Sequence, residues 1–73
     1  MEQFEEPSFT LGVVNTNYLN MRTGPNITFK SIDILTKNEY IRIFAKIGDW
    51  YVIQTDSDFV GMVSKKYIKL IYQ

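Results

Sequence analysis

The chain has 73 residues, a formal net charge of zero, and no cysteine or histidine. This length allows one small domain with a compact core but no roomy, enclosed active site, and the missing residue types exclude disulfides, thiolate zinc sites, cysteine nucleophiles and imidazole bases. Aromatic residues make up 15% of the chain and isoleucine is abundant, which favours a β-sheet.

Charge is unevenly distributed along the chain. Residues 1–10 hold three glutamates and no base, whereas residues 11–73 hold eight basic side chains against five acidic ones, a net charge of +3. A body this weakly basic does not favour nucleic acid, but it suits an anionic polymer such as a cell wall. No apolar stretch predicts a membrane span, and MEQFEEPS lacks the features of a signal peptide. We therefore expect either an intracellular chain or a piece excised from a longer exported protein.

The pattern along the chain predicts one small all-β domain. Residues 1–8 are charged and aperiodic, as in a flexible lead-in or linker, and residues 9–73 form the domain. From residue 9 onward, apolar runs alternate with turn residues every eight to twelve positions, which is typical of a small sandwich or barrel. In YLNMRTGPN (18–26), Leu19 and Met21 alternate with Asn20 and Arg22 like a strand with one buried face, until Gly24-Pro25-Asn26 makes a turn. Further strands are predicted at 10–15, 31–35, 40–47, 50–55, 59–63 and 68–72.

The breaks between strands have turn chemistry. Asn38 stands where a positive φ is tolerated, and Gly48-Asp49 is a tight-turn pair. Asp56-Ser57-Asp58 is a polar hairpin tip rather than a metal site, because no further carboxylate is close in sequence. The one predicted helical turn is a 3-10 turn at 64–67, with Ser64 capping its free N–H groups.

The alternation also separates inside from outside. The predicted core consists of Val14, Leu19, Met21, Ile32, Leu35, Ile41, Ile43, Val52, Val63 and Ile68. The aromatic side chains left over, which cannot all be core, are Tyr18, Phe29, Phe44, Trp50, Tyr51, Tyr67 and Tyr72. Exposed aromatic patches usually mark a binding site.

Three segments carry a resemblance to a known family. LNMRTGPN at 19–26, GDWYVI at 48–53 and GMVSKKYIK at 61–69 resemble, in order and spacing, the bacterial Src-homology-3 (SH3) domains. The family pattern has Trp where this chain has Met62, and Gly where it has Asn38. Gly48-Asp49-Trp50 and the turn at 64–67 also look like the proline-peptide groove of eukaryotic SH3 domains, although Ser64 replaces the proline found there.

The resemblance implies an SH3-like barrel of five to seven short antiparallel strands with a single 3-10 turn, and no chemistry of its own. Such domains are commonly attached to cell-wall hydrolases and bind peptidoglycan. We therefore expect a non-catalytic module without cofactor or metal, extracellular or wall-associated, that targets a parent protein to peptidoglycan through a shallow aromatic groove. The alternative is an interaction module that docks a parental domain or an extended peptide. Lys65, Lys66 and Lys69 leave a third, RNA-binding interpretation open, although three such lysines are usually just a solvated surface.

The predicted ligand-binding residues are Tyr18, Asn20, Arg22, Asn26, Phe29, Trp50 and Tyr67. The planar fork of Arg22 suits a ligand carboxylate, yet its place beside Gly24-Pro25 favours a structural role, in which it bonds loop carbonyls. Trp50 either forms a platform in the groove or is a half-buried core residue. Tyr67 either lines the groove or buries its ring in the barrel with only its hydroxyl exposed. The outward groups of the first motif, Tyr18, Asn20 and Asn26, are the better candidates for binding.

Overall fold

One antiparallel sheet forms the domain, and the computed structural model describes residues 9–71 of it. Its elements are β1 (Thr10–Val14), β2 (Tyr18–Arg22), β3 (Ser31–Thr36), β4 (Tyr40–Ile47), β5 (Trp50–Gln54), β6 (Val60–Ser64), a 3-10 turn (Lys65–Tyr67) and β7 (Ile68–Leu70). The strand order in the sheet is β3-β2-β6-β5-β4-β1-β7. The predicted all-β, SH3-like arrangement with seven short strands is confirmed. The predicted lead-in at 1–8, the end of the last strand at 72 and Tyr72 lie outside the described residues.

The sheet bends at two irregularities. The β2–β3 register shifts between Met21 and Arg22, and the β4–β5 register shifts between Ile43 and Ala45, so that Phe44 is an extra residue on β4. Extra residues of this kind bend a strand and increase its twist. Strand β4 pairs with β1 through residues 40–43 and with β5 through residues 42–47, and the sheet curves around one core.

The core confirms most of the predicted list. Its cluster of buried residues is Val14, Leu19, Met21, Leu35, Ile41, Ile43, Ile53 and Val63. Ile68 is partly buried against this cluster, and so is Tyr51, which the sequence placed among the surplus aromatics. Each fully buried aliphatic side chain contributes roughly 1.5–3 kcal/mol.

Two core predictions are wrong. Ile32 is 45% exposed, because it is the extra residue of β3 at the register shift, where Asp33 pairs with Met21 and Ser31 with Arg22. Val52 is only partly buried, and Ile53 takes its place in the core. The segment WYVI is apolar on both faces, so alternation alone does not select its inner face. The pairing of Ile53 with the buried Ile43 of β4 places Ile53 on the core side, because directly opposed residues lie on the same side of a sheet.

The turns follow the predicted chemistry with one exception. Asn38 has φ 73°, as expected, Gly48 has φ 58° in its tight turn, and Asp58 also adopts a positive φ, 67°. Ser64 makes no side-chain cap of the 3-10 turn, contrary to prediction. The N–H of Lys65 instead donates to the carbonyl of Asp49 at 2.9 Å, so the main chain supplies the acceptor that the cap was expected to provide.

Candidate binding surface

Strands β2, β6 and β5 lie side by side and present one continuous surface away from the core. In β2, Tyr18, Asn20 and Arg22 alternate with the buried Leu19 and Met21, so they face outward. Cross-strand pairs Arg22–Met62, Met62–Val52 and Ser64–Trp50 continue this surface across the other two strands. We call it the outer face; it consists of Tyr18, Asn20, Arg22, Trp50, Val52, Met62 and Ser64.

Met62 forms the centre of the outer face. Its neighbours Gly61 and Val63 point to the core side, yet Met62 itself is only 7% exposed. It stands between Arg22 on β2 and Val52 on β5, with Trp50 diagonally across on β5. Diagonal neighbours are within reach of long and aromatic side chains. The middle of the face is therefore a closed apolar floor at the position where the resemblance expects an aromatic ring.

Trp50 and Tyr67 lie toward one end of the outer face. Trp50 is half-buried and pairs with Ser64, the residue directly before the 3-10 turn that contains Tyr67. Two main-chain hydrogen bonds hold this turn, from the N–H of Lys65 to the carbonyl of Asp49 and from the N–H of Asn15 to the carbonyl of Tyr67. Because β2 is antiparallel to β6, the Tyr18 end of β2 runs toward the same turn.

The loop at 23–30 leaves the other end of the outer face. Arg22 Nη1 donates to the carbonyl of Phe29 at 3.0 Å, which is the contact predicted by its structural interpretation. The Asn26 side chain accepts a hydrogen bond from the N–H of Thr28 at 3.1 Å, within the loop. The Phe29 ring covers Gly24 so closely that a Cβ there would lie 2.7 Å from it. Glycine is therefore required at 24 for a close approach, and the loop is internally braced.

The outer face brings together part of the predicted site. It contains Tyr18, Asn20, Arg22 and Trp50, while Tyr67 flanks one end. Asn26 and Phe29 belong to the braced loop at the opposite end, where their side chains serve the loop itself. Tyr18 has 76% of its surface exposed, and Asn20 accepts a hydrogen bond from the Ser31 hydroxyl at 2.8 Å. Their roles as ligand contacts stay predictions.

Comparison with known proteins identifies the family. The sequence pattern of the bacterial SH3 domain matches residues 17–69 of this chain. The chain belongs to the bacterial SH3 domain family. This SH3 domain is also 37% identical over 60 residues to "Bacteriocin BCN5" of Clostridium perfringens. The alignment covers 81% of this chain but only 7% of the bacteriocin, so the relative is a much longer protein.

Among residues 9–71, the charged side chains do not gather into a group that could hold a metal ion. Asp56 and Asp58 are more than 80% exposed at the β5–β6 turn, and no group of three potential ligands occurs in the described part of the chain. Arg42 Nη1 lies 3.5 Å from Asp56 Oδ1, and its Nη2 lies 3.8 Å from Asp58 Oδ1. The interpretation of residues 56–58 as a solvated hairpin tip therefore stands, with one addition. Arg42 lies beside the tip, a contact that was not predicted. Within residues 9–71, no helix has the length and apolarity that crossing a membrane requires.

The position of Met62 at the centre of the outer face was not predicted from the sequence. In the sequence the methionine stands out only as a lost aromatic, although the alternation in GMVS already indicates that Met62 faces away from Val63 and the core. What the sequence could not indicate is that Arg22 and Val52 stand on either side of it, because that depends on pairing between distant strands.

Proposed function

We propose that this domain is a non-catalytic module that binds peptidoglycan, at its stem peptide or cross-bridge, through the outer face. The observation that carries the proposal is the composition of that face. An apolar floor at Met62 lies beside a half-buried Trp50, and the exposed Tyr18 and Asn20 lie on the same side of β2 as Arg22, which pairs with Met62. Aromatic rings, amides and a small apolar patch are suited to peptide and sugar ligands.

The physical form of the surface predicts weak binding. The outer face is shallow, and a single small contact area buries too little surface for high affinity. Retention of a longer protein at a polymer with many repeated ligands does not require high affinity at each site, because repeated contacts raise the effective concentration. The module is thus suited to hold a parent protein at the wall outside the cell. A bacteriocin-type parent is supported by the relative found in Clostridium perfringens.

Co-sedimentation of the 73-residue chain with purified cell-wall sacculi tests this proposal. We expect the wild-type chain to pellet with sacculi, and Tyr18→Ala to weaken retention roughly fivefold to tenfold, since aromatic contacts of this kind contribute about 1 kcal/mol or more. Phe59→Ala is the matched control, because Phe59 is also an exposed ring, 56% accessible, but lies beside the β5–β6 turn. A folded wild-type chain that stays in the supernatant at low salt would refute wall binding.

Docking of an extended peptide from the parent protein is the second candidate function. It is supported by the main-chain coupling of Asp49 to Lys65, which ties Trp50 to the turn that contains Tyr67. These are the positions that resemble the peptide groove of eukaryotic SH3 domains. Chemical-shift mapping separates the two candidates. Shifts at Trp50 and Tyr67 with proline-rich or parental peptides, and none with muropeptides, would favour peptide docking.

A further inference from the structure

A second concave site lies away from the outer face. The extra residue Phe44 displaces β4 between its pairings with β5, and beside it opens a cleft of about 240 Å³. The cleft is lined by Thr10, Ile43, Phe44, Ala45, Lys46, Tyr51 and Leu70. None of the seven predicted ligand-binding residues is among them. The cleft therefore needs an explanation separate from that of the outer face.

The floor of this cleft, which we call the β4 cleft, is apolar and firmly supported. Ile43 is 7% exposed and belongs to the core, while Leu70 and Tyr51 are partly buried against it. At the bulge, the ring of Phe44 packs at 6.0 Å, centroid to centroid, from that of Phe9. An apolar group that enters the cleft would meet a preformed wall, so little ordering entropy is lost on binding.

Three polar side chains of the β4 cleft are left without partners in the described part of the chain. Lys46 stands opposite Tyr51 in the β4–β5 register, and Thr10 stands opposite Ile43 in the β1–β4 register. Among residues 9–71, the side chains of all three make no hydrogen bond, and no carboxylate lies within ion-pairing distance of Lys46. A few convergent polar groups around an apolar floor are the usual composition of a ligand site.

The charge of the cleft selects the class of ligand. Among residues 9–71, no carboxylate or carboxamide side chain lines it, so its described side chains lack the strong acceptors that commonly bind a neutral sugar, and one lysine is too few for a polyanion. One ammonium and two hydroxyls beside an apolar floor are complementary to one carboxylate joined to an apolar side chain. The volume lies below the ~300–1,000 Å³ of sites for larger ligands, so it admits about one residue.

We propose that the β4 cleft binds the free carboxyl end of a peptide whose last residue is apolar. The terminal carboxylate accepts hydrogen bonds from Lys46 and from the hydroxyls of Tyr51 and Thr10, and the last side chain packs on Ile43 and Leu70. A wall peptide and the C-terminus of a protein both present this chemistry. The site lies off the outer face, so the domain has two separate contact surfaces.

Titration of the 15N-labelled 73-residue chain with N-acetyl-Ala-Leu and with its C-terminal amide tests the proposal. We expect amide shifts at Thr10, Lys46, Tyr51 and Leu70 with the free acid, a dissociation constant on the order of 1 mM, and about tenfold weaker binding of the amide. Lys46→Gln should reduce binding of the acid to the level of the amide. Equal affinity for the acid and the amide, or shifts confined to the outer face, would overturn it.

Two further arms complete the experiment. Lys37→Gln is the matched control, since Lys37 is an exposed lysine in the β3–β4 turn and its loss should leave the titration unchanged. N-acetyl-Ala-D-Ala and N-acetyl-Ala-L-Ala, which differ only in the handedness of the last residue, separate the sources of the ligand. Tighter binding of the D-terminated probe in the cleft assigns the site to wall peptides, and tighter binding of the L-terminated probe assigns it to protein termini. Failure here leaves wall binding by the outer face intact, because Tyr18 does not line the cleft, so the effect of Tyr18→Ala on retention by sacculi reports on the outer face.

Discussion

Two arginines of this domain brace two different loops, and the comparison shows what holds each loop. Arg22 reaches from β2 to the carbonyl of Phe29 at 3.0 Å, and Arg42 reaches from β4 to the carbonyl of Thr55 at 2.9 Å. Arg42 additionally lies near two carboxylates, at 3.5 and 3.8 Å, on side chains that are mostly exposed. Among residues 9–71, no carboxylate pairs with Arg22, and its loop is instead covered by an aromatic ring.

The shared element is the short bond to a main-chain carbonyl. A charged donor to a carbonyl contributes about 1.5–3 kcal/mol when it is shielded, whereas an exposed ion pair contributes about 0–1 kcal/mol. Both arginines are thus better described as supports for the backbone than as members of charge pairs. For Arg22 this favours the structural interpretation over direct ligand contact, even though the residue stands on the outer face.

The largest effect is expected from Arg22→Ala. The substitution removes the exposed bond to the Phe29 carbonyl, about 1 kcal/mol, and the apolar stem that stands beside Met62, about another 1 kcal/mol. We therefore expect a loss of about 2 kcal/mol and a melting temperature lower by roughly 8–15 °C. Thermal denaturation measures this. Retention on sacculi, measured well below the melting temperature, should change less than twofold.

Arg22→Met is the matched variant for that measurement. It keeps an apolar stem beside Met62 but has no donor, so it should recover part of the lost stability. If Arg22→Ala melts like the wild type and no longer pellets with sacculi, Arg22 is a ligand contact and the comparison between the two arginines fails.

Arg42→Met should have an intermediate effect. We expect a loss of about 1 to 1.5 kcal/mol, because the bond to the Thr55 carbonyl disappears while the turn retains its own main-chain bonds. The loss should be similar in 0.05 M and 0.5 M salt, since a bond to a neutral carbonyl is little screened. Urea denaturation at the two salt concentrations is the measurement. A loss that vanishes at high salt would show that the carboxylates hold the turn.

The smallest effect is expected from Asp56→Asn combined with Asp58→Asn. Both carboxylates are exposed, so their removal should cost less than about 0.5 kcal/mol. Asparagine is chosen because position 58 has φ 67°, which Asn tolerates better than most residues. Thermal denaturation beside Arg42→Met measures the difference. If the double variant is as unstable as Arg42→Met, the carboxylates stabilise the β5–β6 turn more than the carbonyl bond does. The loops of Arg22 and Arg42 would then be held by different kinds of interaction.

Much of the fold was predictable because local chemistry repeats along the chain. The bounds of β4 agree with the prediction, Asn38 adopts the expected positive φ and Gly48 lies in the expected turn, since turns and alternation are encoded within a few residues. The candidate site was predictable only in part. Tyr18, Asn20 and Arg22 share a face by alternation within one strand, but their meeting with Trp50 and Met62 depends on pairing between strands.

By itself, the sequence determined where the strands lie to within one or two residues and which family pattern they follow. Tertiary structure decided which apolar residue of β5 enters the core, what surrounds Met62, and where Phe44 opens a cleft. The physical reason is that alternation distinguishes two faces only when one of them is polar. Where both faces are apolar, as in WYVI, cross-strand register and a bulge select the buried side.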